Sequence, residues 1–408
     1  MPDRSVDFLV VGGGRAAGSC AKTLREEGAD GSILLVGREP DAPYDKPPLS
    51  KEYLSQKVGK DEAYVEAPDW WPEHDVELLL RTSVMKLDVG ARVAKLSNRE
   101  EVAFGKALLA TGANVRRLRI DGADLDGVHY LRAFGNSDAI REDAGGADRV
   151  AIVGGSFIAC EVAATLTSLG RRCVMVMQEA APFERVFGGE VAGYFKRVLE
   201  EHGVELHGGQ DVTRYEGADG RITKVVTAAG LEVDCGAVVV GAGVVPDTML
   251  SKAAGLEIGE KGGVLCSDRL ETSAEGVYAA GDIAEWRSEL HGGTARVEHW
   301  DVANEHGKTV ARNMLGADAP HEAIPYFWSD LADWTGLEYV GVGSGDRVIR
   351  GSLDDGSFTS FSLDGGRVVA AMTVGRSDDL EHARRMIRER AEPDAAALAD
   401  EGTDLAGL

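Results

Sequence analysis

VDFLVVGGGRAAG, residues 6–18, decides the fold of this chain. Residues 6–11 are a nearly unbroken apolar run, as expected of a strand buried on both faces. Three glycines follow, then a helix-forming stretch from Ala16 to about Glu27, then the apolar run SILLVG ending at Gly37. Strand, glycine turn, helix and strand in that order make a β-α-β unit. Gly12 permits the tight turn, Gly14 lets backbone approach a pyrophosphate, and Ala17 takes the third small position, where helix and strand pack closely. Arg15 and Ala16 open the helix, whose N-terminal N–H groups and dipole favour an anion. Glu39 lies just past the second strand, where an acid binds ribose hydroxyls.

About 140 residues on, RVAIVGGSFIACE (149–161) repeats the pattern less regularly. Gly154 and Gly155 are followed by Ser156, which puts a Cβ where phosphate should approach, then by Phe157, Ile158 and Ala159. Gln178 and Glu179 close the next strand. An acid there favours NADH by accepting from a 2′-hydroxyl, while Gln178 and the nearby Arg185 leave NADPH open. Both halves end alike, in ALLATG with Ala110, Thr111 and Gly112, and in AVVVGAG with Gly241, Ala242 and Gly243. A third segment, TSAEGVYAAGD (272–282), brings Gly281 and Asp282 to a strand end beside the first loop. Two glycine loops plus this segment point to one protein holding a flavin and a nicotinamide.

The predicted fold class is α/β. Two Rossmann-like βαβ nucleotide-binding domains are expected. From 324 onward, short alternating strands with Asp-Gly and Gly-Gly turns read as a separate C-terminal α+β domain over 321–390. The tail 391–408, rich in Ala, Asp, Glu and Gly, is expected to be disordered. Residues 40–48 hold four prolines and read as a rigid extended segment, after which Lys51 opens a helix through KEYLSQ.

The 408 residues carry 44 basic and 68 acidic side chains, a net charge of −24, which argues against nucleic acid and anionic membranes as partners. The N-terminus has no signal-peptide pattern, so a cytoplasmic protein is expected, monomeric or homodimeric. Five cysteines include no close pair, so no zinc ribbon, no iron–sulfur cluster and no redox disulfide is expected, and electrons must leave the chain. No metal site is expected; His299 and His306 read as non-ligands.

Beyond these patterns the chain resembles the NAD(P)H-dependent ferredoxin and rubredoxin reductase family, and its relative apoptosis-inducing factor. The resemblance covers nearly all of 5–390 and rests on PYDKPPLSK (43–51), ATG (110–112), HYLR (129–132), GGSFIACE (154–161), PFERVFG (182–188), YAAGD (278–282), RVEHW (296–300) and PYFWSDL (325–331). It implies bound FAD, an NAD domain (118–243) inserted in the FAD domain (1–117 and 244–320), a C-terminal interface domain (321–390), hydride from NAD(P)H, and single electrons passed to a ferredoxin or rubredoxin. It makes Lys51 the lysine beside flavin N5, Glu161 the acid that pairs with it, and Trp328 an aromatic on the nicotinamide side. Lys46, where relatives usually have Arg, and Arg132 become FAD contacts; Glu298, His299 and Trp300 lie beside the ring. Val84 completes the candidate FAD contacts. Two other readings keep the cofactors: a slow NADH-responsive flavoprotein of apoptosis-inducing-factor type, and an NADH oxidase or quinone reductase.

Overall fold

A computed structural model describes residues 2–408. The opening strand Arg4–Val11 pairs in parallel with Ile33–Val36 on one side and Glu101–Leu109 on the other. Val76–Leu79 extends the parallel sheet at one edge and Val277–Ala279 pairs with the far half of Glu101–Leu109. The near half of that long strand pairs instead, antiparallel, with Val93–Leu96, which pairs with Val84–Asp88. Leu9, Val10, Leu34 and Leu35 are fully buried, as an apolar strand covered on both faces must be. Helix Arg15–Glu26 buries Ala16, Ala17, Cys20, Ala21 and Leu24, one helical face, over this sheet.

The chain leaves the first sheet after residue 109 and rejoins it at 277, and the second sheet lies in between. Its strands run in the order Glu205–His207, Cys173–Val176, Val150–Val153, Ala237–Val240, Val128–His129, all parallel. Insertion of one nucleotide-binding sheet into the other is therefore observed as topology. The link is a two-stranded ribbon, Ala113–Val115 against Val244–Pro246. Residues 212–234, read as hairpins, form a three-stranded antiparallel sheet. Helix Phe157–Ser168 is buried nearly all round, and Glu161 is the one charged residue in it.

The C-terminal part is a five-stranded antiparallel sheet, Tyr326–Leu331, Thr335–Gly341, Arg367–Val374, Ser357–Asp364, Asp346–Ser352 in spatial order, with helix Ser377–Glu389 against it. Two expectations are corrected. KEYLSQ forms turns, not a helix: Pro47–Ser50 is a single 3₁₀ turn, and the chain leaves it with Lys51 outside the helical region at φ −124°, ψ −107°. The tail is folded, not disordered. Asp394 caps a helix Ala395–Ala399, Leu398 and Leu405 are buried with Phe361, Met386 and Ile387, and Arg350 donates to the carbonyls of residues 398, 400, 401 and 403. Few apolar residues suffice because each meets a ready surface. Leu398→Ala is expected to cost about 2–5 kcal/mol in denaturant unfolding, the range for a leucine removed from a packed core; a loss below about 0.5 kcal/mol, the level of surface changes, would mean that the tail adds nothing. Among the described residues, no helix is long and apolar enough to cross a membrane.

Candidate functional site

The two glycine turns end differently. Helix Arg15–Glu26 starts at Gly14 with no side-chain cap, and a Cβ built on Gly14 meets nothing within 4 Å. Its first N–H groups are thus left for an anion. At the second turn Ser156 caps its own helix: Ala159 N–H donates to Ser156 Oγ at 3.4 Å, and that hydroxyl donates to the Gly241 carbonyl at 2.8 Å. The serine is therefore a cap, not only an added Cβ. It ties the second loop to Gly241 and Ala242, while Gly243 beyond them accepts from Arg116 N–H. Phe157 faces inward, stacked on Phe183 and edge-on to Phe327, while Ile158 is exposed.

Around the first turn, Glu39 holds two partners: Tyr44 donates to Oε2 at 2.5 Å and Lys46 to Oε1 at 2.9 Å. Burial pushes the Lys46 ammonium down to about 8, against the pull of Glu39, with Arg132 and Arg38 lowering it further. Arg81 and Thr82 donate N–H bonds to the Glu39 and Gly37 carbonyls, which brings Val84 to this strand end. Arg132 lies 3.6 Å from Asp282 and against Gly112; Thr111 donates to the Asp247 carbonyl at 2.6 Å. Arg15 reaches the helix Trp300–Met314. It donates to Asn304 at 2.9 Å, lies 4.4 Å over the Trp300 ring, and meets Asp45, which also accepts from Trp300 Nε1 at 2.6 Å.

Three parts of the chain converge on Glu161. Ser50 donates to Oε2 at 2.5 Å, Ser329 to Oε1 at 2.7 Å, and Lys51 Nζ lies 3.4 Å from Oε1. The Glu161 and Lys51 side chains are only 6% and 8% exposed. Burial raises the Glu161 carboxyl above the usual carboxylate range, against Lys51 and the two hydroxyls. Trp328 stands 5.6 Å from Lys51 Nζ and edge-on to Trp300 at 5.6 Å. Lys51, Glu161, Trp328 and Trp300 are therefore one constellation. His299 packs on Phe327; burial pushes it down to about 4, so it is neutral, and its buried Nδ1 has no partner. Glu298 is not drawn in, pairing instead with Arg296 at 2.5 Å. Glu179 is held by Arg185, which also donates to Gln178.

An uncapped helix end over an open turn, an orphaned imidazole nitrogen and a buried lysine fit a flavin dinucleotide between them. Sequence reasoning missed Ser50, Ser329 and Asp45. Each lies inside PYDKPPLSK or PYFWSDL, so the signal was adjacency to Lys51 and Trp328.

The family model described as pyridine nucleotide-disulphide oxidoreductase matches residues 6–307, and one described as reductase C-terminal matches 326–408. The chain belongs to the pyridine nucleotide-disulphide oxidoreductase family. It is an FAD-dependent NAD(P)H oxidoreductase. The C-terminal match includes the folded tail. Among its relatives is the anthranilate 1,2-dioxygenase system ferredoxin–NAD(+) reductase component of Burkholderia cepacia, 35% identical over 96% of this chain and 97% of that protein. Among solved structures, the ferredoxin reductase for the CYP199A2 system from Rhodopseudomonas palustris superposes with a TM-score of 0.92 at 31% identity, covering 98% and 99% of the two chains. The covalent putidaredoxin reductase–putidaredoxin complex gives a TM-score of 0.92 at 29% identity, covering 100% and 98%.

Proposed function

We propose that this oxidoreductase moves hydride from NADH to FAD and passes the electrons singly to a small iron–sulfur protein of the ferredoxin or rubredoxin type. One observation carries the reading: all five cysteines are free and buried, in a family named for disulfide chemistry. Electrons therefore leave from the flavin to an outside acceptor. The relatives' names and the putidaredoxin complex support a carrier protein. Reduced, buried thiols suit a cytoplasmic setting.

FAD, when bound, accepts a hydride and releases electrons one at a time. The open helix end after Gly12 and Gly14 takes the diphosphate, with Lys46, Arg132 and Asp282 around it. Glu39 would hold the ribose, and Val84, Ala110 to Gly112, Gly281, Ala16 and Ala17 would contact the dinucleotide. His299 and Trp300 would border the ring. Lys51, held by Glu161, would stand at the N5 edge of the flavin and Trp328 on the nicotinamide side, so the chain's contribution is mostly positioning. Gly154, Gly155, Ser156, Phe157, Ile158 and residues 241–243 hold the second dinucleotide. Glu179 selects NADH: a 2′-phosphate would have to pull Arg185 away and then face the bare carboxylate.

Anaerobic stopped-flow mixing with each nucleotide tests this. NADH is expected to bleach the flavin at least about tenfold faster than NADPH, the equivalent of about 1.4 kcal/mol, and reoxidation should then be rapid with a carrier and slow with oxygen. Bleaching faster with NADPH would reject the donor assignment. Slow bleaching by both would favour a sensor of apoptosis-inducing-factor type, because a loop capped by its own Ser156 has fewer free donors for the nicotinamide nucleotide.

A further inference from the structure

Lys51 has a second carboxylate neighbour. Asp330 Oδ2 lies 3.6 Å from Lys51 Nζ, opposite in character to Glu161: its side chain is 44% exposed. Among the described residues, no other ion pair or side-chain hydrogen bond engages the Asp330 carboxylate. Both residues line an open recess of about 50 Å³ with Ser55, Thr165 and Ser168, polar walls with space for water. Glu161, in contrast, has both oxygens committed to serine hydroxyls and no exposure to speak of.

The chemistry leaves a task for such a group. Hydride transfer breaks the nicotinamide C4–H bond and forms N5–H on the flavin. Two one-electron acceptors then take two electrons and no proton. The balance, NADH plus two oxidised acceptors giving NAD⁺, two reduced acceptors and H⁺, requires the N5–H bond to break and its proton to reach water. We infer that Lys51 and Asp330 form this proton exit, Asp330 being its outer member.

Asp330 takes a proton from the Lys51 ammonium and gives it to water in the recess, and the vacated Nζ takes the N5 proton. Glu161 anchors Lys51 and does not exchange with solvent. The charged groups around Lys51 are Glu161 from helix Phe157–Ser168, Asp330 from strand Tyr326–Leu331, and Glu52 and Lys57 of its own segment across the recess. Asp330 is thus a positioning and relay residue acting through Lys51. The inference rests on the electron-carrier reading above, in which acceptors take no protons.

Asp330→Asn tests it on the FAD-loaded protein, with ferricyanide as the one-electron acceptor in weak buffer and an indicator dye following the proton. Reoxidation and proton release are expected to slow together by roughly a hundredfold, the scale of a lost acid–base group, while reduction by NADH slows by under about threefold. Added formate should restore the rate through the recess, and Asp330→Glu should recover most of it. An unchanged flavin spectrum and thermal midpoint would show that the fold is intact. Equal slowing of both half-reactions, no slowing, or slowing that formate leaves untouched would overturn the relay. Ferricyanide keeps the two readings apart: failure with every iron–sulfur carrier would sink the proposed partner and leave this result standing.

Discussion

Replacement of Glu161 by Ala is expected to slow flavin reduction by NADH roughly a hundredfold or more, two tenfold steps of about 1.36 kcal/mol each, while FAD stays bound. The carboxylate satisfies two hydroxyls and one ammonium in a place with almost no water. Removing one partner of a buried ion pair typically costs about 3–5 kcal/mol, because the other charge is left without compensation. Lys51 would follow its remaining partner, Asp330, toward the solvent recess and away from Trp328. The groups proposed for the FAD diphosphate and ribose, Gly14, Glu39, Arg132 and Asp282, make no contact with Glu161, so flavin content should hold. Glu161→Gln, able to keep a hydroxyl bond but not the charge, should fall between. Stopped-flow bleaching, with flavin-to-protein absorbance as the control, decides the matter. Hydride transfer at the wild-type rate in the Ala variant would remove Glu161 from the site.

The parts of this molecule that were readable beforehand are those where local and long-range rules agree. The strand–turn–helix units at 6–26 and 150–168 carry their own signature, since an apolar run, glycines and a helix-forming stretch each demand the same geometry. The glutamate cluster has no such signature. Ser50 and Ser329 are 111 and 168 residues from Glu161, and only the packing of three structural units joins them. Resemblance supplied Lys51 and Glu161 but not the hydroxyls that hold them. The cap made by Ser156 was not legible for a related reason: a side chain next to a helix start competes for the same N–H groups as a phosphate, and the sequence does not say which one is served. Composition misled at the tail, where two leucines and the Arg350 guanidinium outweigh a polar, small-residue average. Tyr326–Leu331 shows no clean alternation in the sequence, because its aromatic residues sit on a partly buried edge of the sheet.

Gly12→Ala and Gly14→Ala are expected to fail in different ways, although both change the same loop by one methyl group. Gly12 has φ +138°, a conformation that a side chain rarely adopts, and a Cβ there would lie 2.1 Å from the Ala110 carbonyl oxygen. Neither backbone can yield. Gly12 N–H is bonded to the Val36 carbonyl at 2.9 Å, and Ala110 N–H to the Val11 carbonyl at 2.8 Å, so both sit in the ladders of the central sheet. Backbone strain of order 1–3 kcal/mol and overpacking of a further 1–3 kcal/mol act together on the strand at the centre of the first domain. The Gly12 variant should therefore be poorly folded and colourless. Gly14 has neither a positive φ nor a neighbour within 4 Å of its Cβ. The Gly14 variant should fold with a near-native thermal midpoint and hold FAD weakly, because the added methyl projects into the open space at the uncapped helix end. Thermal unfolding of the apoprotein and FAD titration separate the two. If Gly14→Ala kept full FAD affinity, the diphosphate would have to rest elsewhere than on this helix end. If Gly12→Ala remained yellow and stable, the contact with Ala110 would have to relax in a way that the hydrogen-bonded strands on either side do not allow.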